Sequence, residues 1–270
     1  MARLDGKVAI VTGAGIGQGR STALRLAREG AKVIAADVSG AQKDTAAEWP
    51  DVITAVHADV TQSADVAALV AEATDRHGRL DIMCNVVGIA GIAQAAIPDI
   101  VEAEYDQLMD INLKSVFLGM KYAIPAMVES GGGSIINWSS VGGLVSSAHT
   151  GAYGASKAGI LSMTRTASRE WGKANIRVNA ICPGFIYPTG MTLMGEEKFP
   201  EAVKSASSKS ALNRPGHPDE VAAVAAFLSR PRSSPDQGIL VTGLAHSDLH
   251  SRDEHRLSSR RARRPLGERL

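Results

Sequence analysis

The 270-residue chain is 44% hydrophobic and 4% aromatic with 27 glycines, which indicates one domain built on an aliphatic core and excludes a fibrous or disordered chain. Its 29 basic and 28 acidic side chains leave a net charge of +1, so no overall field draws the protein to nucleic acid or an anionic membrane, and neither partner is expected. Cys84 and Cys182 have neither metal-ligand spacing nor the density of a disulfide scaffold, and both are expected to be reduced and buried.

The first apolar run, Lys7 to Val11, is β-branched and ends at Thr12-Gly13, after which Arg20 to Glu29 takes up a helical pattern. Further strands are predicted at Lys32 to Ala36, Val52 to Val56, Leu80 to Cys84, Ser134 to Asn137, Ile176 to Ile181 and Gly238 to Thr242. Helices are predicted at Ser63 to His77, with Ser63 as N-cap and Gly78 just past the end, then at Glu102 to Asp110, Leu113 to Val128, Tyr153 to Trp171 and Asp219 to Phe227. This alternation predicts an α/β fold: a single doubly wound, Rossmann-like domain with a predominantly parallel seven-stranded sheet flanked by helices. The domain is expected over residues 1–243, with a substrate loop at about 184–213 and an appended tail at 244–270. From Arg252 to Leu270 that tail holds seven arginines and three acidic residues, a composition that suits a solvated terminus. No apolar run approaches the roughly 20 residues of a membrane span, and Arg3 and Asp5 precede the first strand in place of a signal-like stretch, so a cytoplasmic protein is expected.

The turn after the first strand reads Thr12-Gly13-Ala14-Gly15-Ile16-Gly17-Gln18-Gly19. Glycines there let the backbone turn sharply and approach a diphosphate, and the following helix contributes amide donors at its positive end. Asp37 closes the second strand about 20 residues further on, where its carboxylate can accept from both ribose hydroxyls of NAD and repel the additional phosphate of NADP. Strand, glycines, helix and acid in this order predict an NAD site that includes Gly13, Ile16, Gly17, Gln18 and Asp37.

Tyr153 and Lys157 stand four residues apart and share a helix face, so the lysine can favour tyrosinate electrostatically. A free tyrosine, with a pKa near 10, is too weak a base at neutral pH without such help. Ser140 precedes Tyr153 by thirteen residues, and its hydroxyl can orient a substrate oxygen.

The glycine turn, Asp59-Val60, Asn85 to Gly88, Asn112, Ser140, the Tyr153-Gly154-Ala155-Ser156-Lys157 segment and Pro183-Gly184 together resemble the classical short-chain dehydrogenase/reductase family over about residues 5 to 243. The resemblance implies an oxidoreductase that reversibly moves hydride between NAD and a secondary alcohol or carbonyl substrate without a metal. Tyr153 would be the general acid and base, Ser140 would orient substrate, and Lys157 would also hold the nicotinamide ribose. Asn112 would retain a water near the lysine, extending its proton relay. It further implies cofactor contacts at Asp59, Val60, Asn85, Gly88, Tyr153, Lys157, Pro183, Gly184, Ile186 and Thr189, and a homotetramer, with a dimer as the alternative. Ser139 is expected to be a strand or turn hydroxyl.

The chain also departs from the family pattern. Ile16 and Gln18 are exchanged relative to the more familiar Gly-Gln-Gly-Ile-Gly order, so where an apolar side chain is usual Gln18 must find a polar partner or water, or bend outward. Val86-Val87 replaces a central Asn-Ala, Tyr187-Pro188 moves Thr189 by one position, and the last strand region is irregular. These changes motivate a contrasting reading, a catalytically weak, NAD-responsive scaffold or interaction protein. Trp138 lies two residues before Ser140 and is the tryptophan nearest the proposed chemistry.

Overall fold

Valine, isoleucine and alanine dominate the strand-forming runs, and the pleat sends alternate residues to opposite faces. The computed structural model describes residues 3–145, 147–198, 200–201, 212–230 and 240–242. Its strands are β1 (Val8–Thr12), β2 (Lys32–Asp37), β3 (Ile53–His57), β4 (Ile82–Asn85), β5 (Gly133–Trp138), β6 (Ile176–Cys182) and β7 (Leu240–Thr242). All pair in parallel, in the order β3-β2-β1-β4-β5-β6-β7.

The helices among the described residues are α1 (Gly17–Arg28), α2 (Gln42–Ala47), α3 (Ser63–His77), α4 (Glu102–Met109), α5 (Ser115–Glu129), α6 (Gly151–Trp171), α7 (Gly190–Lys198) and α8 (Pro218–Ser229). Alternation along the strands separates two cores. Ala9 and Val11 of β1 join Leu26 of α1 and Ala225 of α8 on one face. Val8 and Ile10 join Leu69 of α3, Met127 of α5 and Ile160 of α6 on the other. Burial on both sides explains why β1 is apolar from Val8 to Val11 instead of alternating with polar residues.

The order reverses between β1 and β4, which opens a crevice at the carboxyl ends of the strands. α3 spans the predicted residues and ends at Gly78 with φ 73°, although its N-cap is Gln62 and Ser63 is the first helical residue. α4 and α5 run into one another through a π-helical segment, Asp110–Lys114, which contains Asn112. Two helices were not anticipated: the short α2, and α7 within the stretch expected to be a loop. No helix of the described residues is long and apolar enough to cross a membrane. Gly238 and Ile239, and the Arg-rich tail from 244 onward, lie outside the described residues.

Candidate active site

A cleft of about 1010 Å³ lies along the carboxyl ends of the strands, and it reaches from Asp37 past the glycine turn to Tyr153 and Lys157. At its floor Gly13 has φ 65°, and a Cβ there would lie 3.3 Å from Val87 Cγ2. Gly19 has no room for a Cβ, because the Gly13 carbonyl oxygen occupies that space as α1 closes onto the turn. No side chain caps α1, and its first turn contains no acidic residue. Its leading amides and positive dipole end therefore face the cleft without a competing anion from the helix itself.

Asp37 Oδ2 accepts from Gly15 N at 3.0 Å, while Oδ1 accepts from Ser39 N at 2.9 Å and Ser39 Oγ at 2.7 Å. These donors fix the carboxylate at the end of β2 beside the glycine turn. Further along, Asp59 Oδ1 accepts from Thr61 N and Oγ1 at 2.9 and 2.8 Å. The Thr61 backbone bond is the main cause holding the Asp59 carboxyl below its usual value, ahead of a smaller opposing effect of burial. The carboxylates, the uncapped helix start and the glycines that leave space along the turn fit a dinucleotide, for which Asp37 would hold ribose, the α1 amides would hold diphosphate, and Asp59 with Val60 would flank the base.

At the other end, β5 delivers Trp138, Ser139 and Ser140 beside the first turn of α6. Lys157 is buried, and Nζ donates to the Trp138 carbonyl at 3.0 Å. Burial pulls its ammonium down to about 8. Nζ lies 5.8 Å from the centre of the Tyr153 ring. Burial pushes the Tyr153 phenol above its usual value, and the neighbouring Ser140 hydroxyl opposes that rise. Desolvation thus sets the direction for the phenol, and the group that acts against it is the Ser140 hydroxyl, not Lys157. Ser140 Oγ also accepts from Gly142 N at 3.0 Å. Ser139 Oγ instead donates to the Lys157 carbonyl at 2.8 Å and ties β5 to α6.

Most of the predicted residues meet in this cleft: Gly13, Ile16, Gly17, Gln18, Asp37, Asp59, Val60 and Gly88 line its cofactor end, and Ser140, Tyr153, Lys157, Pro183, Gly184, Ile186 and Thr189 line the rest. Gly88 is where a Cβ would stand 2.8 Å from Lys157 Nζ. The Thr189 side chain packs against Gly17, and its hydroxyl is also engaged with Thr192, receiving that residue's backbone N–H at 3.1 Å at the start of α7.

Asn85 and Asn112 are not among the residues that line the cleft. Asn85 is buried away from the cleft lining, with Nδ2 donating to Asn137 Oδ1 at 2.8 Å, because its position on β4 directs the side chain to α5 and β5. Asn112 is fully buried; Oδ1 accepts from Ile89 N at 2.8 Å, and Nδ2 donates to Ile89 O at 3.0 Å and Ser156 Oγ at 3.2 Å. Its side chain thus holds the segment after Gly88 and does not bond to Lys157 itself.

Gln18 has the polar partner that its position demands: Oε1 accepts from Trp138 Nε1 at 3.0 Å. Val86 N donates to Thr12 Oγ1 at 3.0 Å, and Val87 packs with Val60 and Leu118, so the Val-Val replacement is accommodated as apolar support. Sequence reasoning missed Val38 and Ser39, although both directly follow Asp37, and missed Phe185 between two predicted positions. Gln94, Gln107 and Met191 also line the cleft, but no local spacing marks them.

A family model described as enoyl-(acyl carrier protein) reductase matches residues 12–242. The 3-oxoacyl-[acyl-carrier-protein] reductase FabG of Thermotoga maritima is 39% identical over 237 residues, covering 86% of this chain and 94% of the relative. A 3-alpha-(or 20-beta)-hydroxysteroid dehydrogenase of Mycobacterium tuberculosis is 37% identical over 255 residues, covering 92% and 94%. The crystal structure of levodione reductase superposes with a TM-score of 0.82 at 35% identity, covering 89% of this chain and 96% of that one. With these likenesses added to the glycine turn, Asp37 and the Ser140-Tyr153-Lys157 cluster, the chain belongs to the classical short-chain dehydrogenase/reductase family and is an NAD-dependent oxidoreductase of alcohol and carbonyl substrates.

Proposed function

We propose that the protein interconverts a secondary alcohol and its ketone, with Tyr153 as general acid and base, Ser140 as the group that orients substrate oxygen, and Lys157 as the buried cation beside them. The observation that carries this reading is the cleft that brings Ser140, Tyr153 and the buried Lys157, whose Nζ lies 5.8 Å from the Tyr153 ring centre, together with Asp37 and the glycine turn. Bound NAD supplies the two-electron exchange with the substrate carbon. In oxidation Tyr153 Oη takes the alcohol proton, and in reduction it returns a proton to the ketone oxygen. Ser140 Oγ donates to the substrate oxygen as negative charge develops on it. Asn112 acts behind them by bracing Ile89, and with it Gly88, against the lysine.

Phe185 and Met191 give the substrate end apolar walls, and Gln94 and Gln107 supply polar groups. Relatives named for 3-oxoacyl carrier protein, hydroxysteroids and levodione support a ketone–alcohol pair without selecting a ring or a chain. Within a domain proposed over 1–243, the substrate cover expected at 184–213 includes the described residues 184–198, 200–201 and 212–213, and the tail 244–270 lies outside the described residues. The assembly is a homotetramer, a reading supported by the exposed Phe117 and Val128 on α5. A cytoplasmic location fits two free, buried thiols.

The test is a screen of secondary alcohols with NAD and of ketones with NADH, with the phosphorylated cofactors and Tyr153→Phe as controls. Turnover by the wild type that the variant lacks, while the variant still binds NAD, supports the reading. Turnover retained in Tyr153→Phe overturns it.

A further inference from the structure

Gln18 and Trp138 are 120 residues apart in the chain, yet the indole N–H donates to the Gln18 side-chain oxygen at 3.0 Å. Trp138 is buried at the end of β5, and its own carbonyl accepts from Lys157 Nζ at 3.0 Å. One residue is therefore gripped twice, at its indole by the first turn of α1 and at its carbonyl by the lysine of α6. Gln18 is anchored in turn, since its carbonyl accepts from Thr22 Oγ1 at 2.7 Å. The next residue, Ser139, donates to the Lys157 carbonyl at 2.8 Å, so β5 holds the lysine at both its main chain and its ammonium. The Gln at position 18 and the Trp at position 138 are complementary: an apolar residue at 18 would leave the indole N–H without this acceptor.

We propose that Gln18 and Trp138 form a positioning couple that keeps the Lys157 ammonium in register with the dinucleotide turn. The proposal rests on Lys157 serving in the site as described above. Neither residue is catalytic; Gln18 fixes the indole, the indole fixes the end of β5, and the Trp138 carbonyl there sets where Nζ stands. Losing the couple affects two things at once, the hold on NAD at the turn and the environment in which Lys157 ionises.

The test is a double-mutant cycle with Gln18→Leu, Trp138→Phe and the pair together, each checked for folding by thermal melting. The readouts are the NAD dissociation constant by calorimetry, the indole N–H resonance that Trp138→Phe removes, and the pH dependence of kcat/KM. Each single variant is expected to weaken NAD by about three- to tenfold, the range for one hydrogen bond, and to displace the alkaline limb of the pH profile. The double variant is expected to be no worse than the poorer single, because replacing both partners leaves no polar group stranded. In Gln18→Leu the indole resonance should move upfield. Additive losses, or wild-type affinity and pH profile in both single variants, overturn the proposal. If Trp138→Phe does not fold, Gln18→Leu and Gln18→Met give the same affinity, resonance and pH readings. The affinity and resonance readings do not depend on the Tyr153→Phe result, so failure of the couple and failure of the catalytic reading are told apart.

Discussion

Substituting Gly88 by alanine tests how tightly the lysine is held. Gly88 is not among the positive-φ residues, so alanine suits the backbone and the perturbation is the added methyl alone. That Cβ would stand 2.8 Å from Lys157 Nζ, whereas ordinary contact begins at 3.4 Å, so the ammonium must retreat by about 0.6 Å. The group that moves is the end of a long side chain, but it is buried and donates to the Trp138 carbonyl at 3.0 Å. A hydrogen bond from a charged donor contributes about 1.5–3 kcal/mol, and a weakened one should cost about 1 kcal/mol of stability. Misplacement on the order of an ångström can cost catalysis about a hundredfold, so a loss of about 10- to 100-fold in kcat/KM is expected. Denaturant unfolding measures the first quantity and steady-state kinetics the second. A Gly88→Ala protein with wild-type kcat/KM would refute the argument that Nζ must sit where it does. A loss of many kcal/mol in stability would refute the argument that Nζ can yield.

Three further outcomes are expected. Ser139→Ala should cost about 1 kcal/mol of stability with little direct effect on chemistry, whereas Ser140→Ala should lower kcat by roughly 100-fold with little loss of stability, and equal kinetic losses would show the two roles to be misassigned. Lys157 keeps its proton below about 8 and loses it above, so kcat/KM should fall on the alkaline side of that value, and a profile flat through that region would count against the buried cation. Burial alone would raise the Asp81 carboxyl, but bonds from Arg79, Lys7 and Val8 N outweigh it and hold the carboxyl below its usual value. A depressed folded pKa stabilises the fold above the unfolded value and loses that contribution as pH falls through the folded one. Asp81→Asn should therefore cost about 2 kcal/mol at neutral pH, less than a fully buried pair because Lys7 and Arg79 retain solvent, and should flatten the acid loss of stability seen in urea titrations below pH of about 4.

The sequence by itself determined the parts of this protein that depend on near neighbours. β-branched runs bounded by glycine placed the strands to within two residues at most ends, and the i, i+4 spacing of Tyr153 and Lys157 put both on one helix face. Gly13 and Asp37 were legible because turn geometry and strand end are local properties. The short α2 escaped because six residues carry too little periodicity, and α7 because its mixed Met, Thr and Gly start gives little amphipathic pattern within a turn-rich stretch. Tertiary structure alone decided the pairings of residues far apart in the chain. Asn85 meets Asn137 and turns from the cleft, Asn112 braces Ile89, and Gln18 finds Trp138. A side chain's periodicity tells which face it occupies, but a hydrogen bond between distant segments depends on how strands and helices stack, and that register is set by packing across the whole sheet. Gln18 illustrates the division: its sequence position left a polar amide to be partnered, hydrated or turned outward, and only the folded sheet supplied Trp138.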